Sequence, residues 1–299
     1  MKRPATVMEF ALLLLWLTPA SAQLVEAECA TSWPGFPFPE GMFLADAQSN
    51  GLDIAWRDFS ATDAVRGGHP PAPRIAGSAA SWVWHSDLAA IASTSDLGLF
   101  ISRFNERPGG WDLGVTDGYI VSAWAFVAKG TPKLIASTWL HVKDDRPPRA
   151  QCENRLILKR GDYWSKDARV PDVSHVAAAV SPPKALRDAD NALIARATCR
   201  ERWPPIIAAS GEGHGLFLVP GVGAVTGGAN LRSIFNLLPN EPVRWRRLKF
   251  LASRDGKLGL SIGRLVNCDD PSAMQTYVSA WVRNGASWRL DLLAVVPSG

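Results

Sequence analysis

The chain repeats part of itself. Leu97-Gly98-Leu99-Phe100-Ile101-Ser102-Arg103-Phe104 returns as Leu258-Gly259-Leu260-Ser261-Ile262-Gly263-Arg264-Leu265, and Val121-Ser122-Ala123-Trp124 returns unchanged as Val278-Ser279-Ala280-Trp281. Upstream, Leu44–Ala47 lines up with Ile194–Ala197, and Ile75-Ala76-Gly77 with Val225-Thr226-Gly227. Ala45 to Ala195 and Gly77 to Gly227 are each 150 positions apart, Leu97 to Leu258 is 161, and Val121 to Val278 is 157. The order is the same in both halves, and the length differences fall in polar, Gly- and Pro-bearing stretches that read as loops. Ordered self-similarity on this scale predicts two copies of one domain.

Residues 1–22 read as a secretory leader. Lys2 and Arg3 precede the apolar run Ala11–Leu17, and Ala20-Ser21-Ala22 is a small-residue cleavage site. That run is too short to span a bilayer. The expectation is a secreted or periplasmic protein with no membrane span. Of the 299 residues, about 277 remain, room for two domains of roughly 120–140 residues. The domains are expected at 23–145 and 183–299, with a connector at 146–182. The formal charge of +4 falls to about +3 without the leader, and the charges are scattered. Only Arg244, Arg246 and Arg247 cluster, so no nucleic-acid partner is expected. Cys29, Cys152, Cys199 and Cys268 all follow the leader, an even count suited to two disulfides in an oxidising compartment. Three pairings are open, and 29–152 with 199–268 closes each within its own half. The lack of C-x-x-C and the scattered histidines give no reason to expect a metal or a cofactor.

Each half begins with helical pattern, Gly41–Asn50 and Ala185–Arg200; Gly51-Leu52-Asp53 then reads as a break and an N-cap for a second short helix carrying Trp56 and Phe59, and Trp203-Pro204-Pro205 is the corresponding place in the second half. Each half ends in hairpins. Asp255-Gly256 and Asn284-Gly285 are turn pairs between apolar runs. Helices first and an antiparallel meander afterwards give an α+β plan in each half. Gly221-Val222-Gly223 with Gly227-Gly228 lacks dinucleotide-binding spacing and reads as a turn into a third helix.

Strand alternation puts Leu97, Leu99, Ile101 and Arg103 on one face, and Leu258, Leu260, Ile262 and Arg264 on the matching one. An arginine ending an apolar row can anchor an anion, or extend to water from the strand end. Twelve tryptophans remain once Trp16 goes with the leader. Trp56, Trp124, Trp203 and Trp281 sit in the repeated framework, as core or as the lining of a site for an apolar ligand.

These words, in this order and twice over, resemble the SnoaL-like branch of the nuclear transport factor 2-like superfamily. The matching pieces are Ala61-Thr62-Asp63-Ala64, Ile75-Ala76-Gly77, Ser95-Asp96-Leu97-Gly98 and Tyr119–Trp124. In the second copy they are Val225-Thr226-Gly227, Asp255–Gly259 and Tyr277–Trp281 with Gly285 and Trp288. The resemblance implies two tandem cone-shaped domains, each with N-terminal helices packed on a curved, mostly antiparallel sheet around an apolar cavity. It also implies that the two pair through their sheets as an intramolecular pseudo-dimer. The expected role is binding of a small apolar or carboxylate ligand, with Trp56, Arg103, Trp124, Trp203, Arg264 and Trp281 as candidate contacts. The alternatives are a lyase or isomerase in the first domain, and a structural or protein-interaction module. For the catalytic alternative, likeness to ketosteroid isomerase implies proton abstraction, with Asp63, His69 and His85 as candidates. At the 150 offset Asp63 falls on Gly213, so that acid belongs to the first copy alone.

Overall fold

The computed structural model describes residues 40–68, 83–92, 94, 96–105, 116–128, 131–145, 177–199, 203–211, 215–234 and 241–297. The first half runs α1 (Glu40–Asn50), α2 (Leu52–Phe59), β1 (Ser60–Gly67), β2 (Val83–Ile91), β3 (Leu97–Asn105), β4 (Thr116–Ala128) and β5 (Thr131–Asp145). The second runs α3 (Lys184–Ala197), α4 (Trp203–Ser210), β6 (Leu216–Val219), β7 (Gly223–Thr226), α5 (Gly228–Ile234), β8 (Val243–Ala252), β9 (Leu258–Asn267), β10 (Met274–Asn284) and β11 (Ser287–Pro297). Each half therefore has the predicted helix pair followed by the predicted hairpins.

The sheets are mixed rather than wholly antiparallel. The strand orders are β1-β5-β4-β3-β2 and β7-β6-β11-β10-β9-β8. The meanders β2 to β5 and β8 to β11 pair antiparallel, whereas β1 lies parallel to β5 and β6 parallel to β11. The second copy adds a β6–β7 hairpin whose turn glycines, Gly221 and Gly223, have φ of 77° and 88°. Positive φ of that size favours glycine over any side-chain-bearing residue. α5 then begins at Gly228, where the glycine run predicts a helix.

Each sheet has two covered faces. One covers the other sheet: Leu97, Leu99, Ile101, Tyr119, Val121, Ala123 and Ala125 share a single apolar core with Leu258, Leu260, Ile262, Val278, Ala280 and Val282. The described residues accordingly form one compact unit. Polar ties join the halves at the rim. The Asp63 carboxylate pairs with Lys249, Gly68 N–H donates to the Pro297 carbonyl at 2.8 Å, and Arg254 N–H donates to Asp96 at 2.9 Å.

The opposite face of each sheet carries that half's own helices. In α3 the buried positions Leu186, Asp190, Leu193 and Ala197 form one stripe at helical spacing. They pack with Trp203, Phe217, Trp245, Tyr277 and Trp281. Gly259 permits the contact, because a Cβ there would lie 2.3 Å from Cδ2 of Leu186. In the first half Phe43, Phe59 and Trp124 meet edge to face, with ring centroids 6.1–6.4 Å apart. Cys199 and Cys268 are joined, as the within-half pairing predicts, tying the end of α3 to the end of β9. Cys29 and Cys152 lie outside the described residues, as does most of the expected connector.

Candidate functional site

An acidic residue occupies the same place in both helix–sheet interiors. Glu40, Phe43 and Ala47 are the buried stripe of α1, and Asp190, Leu193 and Ala197 repeat it at the 150 offset. Glu40 is 0% exposed and Asp190 is 1% exposed. Each carboxyl receives the indole N–H of the tryptophan in the repeated Val-Ser-Ala-Trp. Trp124 Nε1 donates to Glu40 Oε2 at 2.7 Å, and Trp281 Nε1 donates to Asp190 Oδ1 at 3.1 Å. A serine hydroxyl holds the other oxygen, Ser122 at 3.1 Å in the first half and Ser261 at 3.3 Å in the second. Tryptophan alternates with the inter-sheet residues along its strand, so its ring points at the helices.

The two sites differ in charge. In the second, Arg247 Nη1 lies 2.5 Å from Asp190 Oδ2, and Asn191 accepts from the same guanidinium. The Arg247 side chain stacks over Phe250 with its Cζ 4.5 Å from the ring centroid. Burial pushes the Asp190 carboxyl above its ordinary value, and Arg247 pulls it back most strongly among its partners. Burial, with a smaller contribution from Asp190, pushes the neighbouring Tyr277 hydroxyl up.

In the first half the strand register puts Ser86 where the second half has Arg247. Ser86 pairs with Ser102 and Arg247 with Gly263, and a bulge follows at once in both strands. Among the described residues, Glu40 has Ser122 and Trp124 as its hydrogen-bond partners and no cation. Burial raises its carboxyl to about 7, against weaker downward pulls from Trp124 and Ser122. A carboxyl there can exchange a proton near neutral pH, which a carboxyl in water cannot do.

The structure places the residues singled out in the sequence at several separate positions. Trp124 and Trp281 each join a buried carboxyl, in different domains. Trp203 is buried at the start of α4. Trp56 is half-buried on α2, with Arg66 Cζ 5.4 Å from its ring centroid. Arg103 and Arg264 are half-buried at the ends of the rows that face the other sheet, and Arg264 donates to Thr276. Asp63 is exposed on β1, and its partner Lys249 holds its carboxyl below the usual range. His85 is on β2, opposite Arg103, and His69 lies outside the described residues. Among the described residues, no group of three or more His, Cys, Asp or Glu is arranged to hold a metal. No described helix is long and apolar enough to cross a membrane.

Glu40 and Asp190 were not among the sequence candidates. Two signals pointed to them: an aspartate inside an apolar stripe, and the 150 offset that carries Asp190 onto Glu40.

No family model matches the chain, and neither does any curated protein. Solved structures do. A DUF3225-family protein of unknown function from Pectobacterium atrosepticum SCRI1043 is 9% identical, over 38% of this chain and 89% of that one, with a TM-score of 0.33. An NTF2-like protein of unknown function from Pseudomonas putida KT2440 is 16% identical, over 37% and 82%, with a TM-score of 0.31. A ketosteroid isomerase-like protein from Erwinia carotovora atroseptica SCRI1043 is 14% identical, over 38% and 93%, with a TM-score of 0.29. The likeness is distant in each case.

Proposed function

We propose that the protein is an exported binding protein that takes a small, largely apolar ligand into the helix–sheet interior of its first domain. In this reading the sheets are curved into cones, and the second domain is the fixed half of an intramolecular pseudo-dimer. The observation that carries the proposal is the difference between two equivalent carboxyls. Asp190 is neutralised by Arg247 and held by Ser261 and Trp281. Glu40 sits in an equally dry place, and among the described residues no cation faces it. An uncompensated buried carboxyl costs stability, so its retention in one copy suggests a use there. Cys199–Cys268 fits an oxidising compartment outside the cytoplasm.

The test is a fluorescence titration of the purified protein with 8-anilinonaphthalene-1-sulfonate at pH 6, where the fold is intact by circular dichroism. Saturable binding is expected, weakened at least fivefold in Trp124→Phe and unchanged in Trp281→Phe. Failure to saturate, or sensitivity to the Trp281 change alone, overturns the assignment.

A further inference from the structure

We propose that the first domain is gated by a proton: the neutral Glu40 carboxyl holds α1 against β4, and its ionisation loosens that helix while α3 stays fixed. The release of ligand on opening rests on the binding reading above; the gate itself does not.

As placed, Ser122 donates to one oxygen of Glu40 and the indole of Trp124 to the other; a neutral Glu40 can turn the serine bond round and donate its own O–H to that hydroxyl, so both carboxyl oxygens keep a partner without a buried charge. The carboxylate keeps both acceptors but buries a full negative charge at 0% exposure. Its least costly response is to reach water, and because Glu40 stands in the first turn of α1, that turn has to come away from Ser122 and Trp124 on β4 for it to do so.

The charged groups around it do not supply compensation. On α1, Asp46 accepts from Asn50 at 2.6 Å. On α2, Asp53 pairs with Arg66, and Arg57 with Asp58. On β5, Lys133 donates to the Asp58 carbonyl at 3.0 Å. The other titratable or cationic groups of this sheet among the described residues are Asp63 on β1, Arg103 on β3, Asp117 and Tyr119 on β4 and His141 on β5, and the partners of Glu40 among the described residues are Ser122 and Trp124. On β2, His85 lies opposite Arg103 and Asp87 falls at the bulge between Ser86 and Leu88. In the second domain, the same lifting of α3 would break the Arg247–Asp190 pair, so that copy has no reason to open in this pH range.

Hydrogen exchange read by mass spectrometry on the whole protein tests the gate. With a closed-state value of about 7 against an ordinary 4.5, the opening constant of α1 rises roughly 30-fold between pH 5.5 and 8.5, after correction for the intrinsic exchange rate. Peptides from 40–50 should show that rise and peptides from 184–197 should not. Glu40→Gln, which stays neutral, should abolish it. Ser86→Arg, which supplies the missing cation, should reduce it; if that variant is unstable, the Gln variant decides alone. A rise shared by both helices, or one that survives Glu40→Gln, overturns the gate. The same samples titrated with 8-anilinonaphthalene-1-sulfonate separate the two ideas. PH-dependent opening without probe binding retains the gate and removes the binding reading. Probe binding with pH-independent exchange does the reverse.

Discussion

Replacing Arg247 by methionine isolates the charge that distinguishes the two domains. Methionine keeps an unbranched apolar stem beside Phe250 and removes the guanidinium 2.5 Å from Asp190. Asp190 stays 1% exposed, with Trp281 and Ser261 as its remaining donors. Breaking a fully buried ion pair on one side costs about 3–5 kcal/mol. The Arg247 side chain is 29% exposed, and solvent screening reduces the figure to about 2–3 kcal/mol. The sign of the pH dependence follows from linkage. Without Arg247, the folded-state value of Asp190 moves further above its ordinary one, so its contribution is present at low pH and is lost as pH rises. Urea unfolding followed by tryptophan fluorescence should therefore show the full loss at pH 8 and a smaller one as pH falls toward the carboxylate range. A loss equal at both pH values would refute the reading that Arg247 acts by compensating a buried charge.

Leu260→Ala opens a hole in the core between the sheets, where Leu260 is 0% exposed, and should cost about 2–5 kcal/mol in urea unfolding. Gly259→Ala brings a methyl group to 2.3 Å from Leu186 Cδ2 and should cost about 1–3 kcal/mol; adding Leu186→Ala should recover part of it. Converting Cys199 and Cys268 together to serine frees a crosslink between residues 69 apart, worth about 4 kcal/mol on the chain-entropy estimate and readable as a lowered Tm.

The sequence made the meanders readable because their signals are local. Asn284-Gly285 closes β10 onto β11, with Gly285 at φ 59°, and Asp255-Gly256 closes β8 onto β9, with Gly256 at φ 65°. The parallel strands were not readable in the same way. β1 meets β5 across most of a domain, so no turn announces the pairing, and its outward positions Thr62 and Asp63 dilute any apolar alternation. The apolar row of Leu97, Leu99 and Ile101 was visible as a row, but alternation does not say what covers it. The structure covers it with the other sheet. Glu40 escaped notice because it stands one residue before the predicted helix start. Asp190 stands among the mixed polar residues of Ala185–Arg200, where composition alone does not separate a buried acid from a solvated one.

That pattern explains why the repeat is visible at all. Val121 and Ala123, like Val278 and Ala280, face the sheet of the other half, so each must fit a surface of matching sequence. A change there disturbs both halves through one close-packed core. The intervening positions face only their own helices. There Phe100 stands opposite Ser261 in the alignment, Ile120 opposite Tyr277, and Ser86 opposite Arg247. Those exchanges supply the hydroxyl and guanidinium that hold Asp190, and without them Glu40 has Ser122 and Trp124 as its partners among the described residues. The alternating apolar residues of the repeat mark the interface between the halves, the shared tryptophans Trp124 and Trp281 reach the buried carboxyls on the other face, and the difference in chemistry lies at the neighbouring positions of that face, where the halves no longer match.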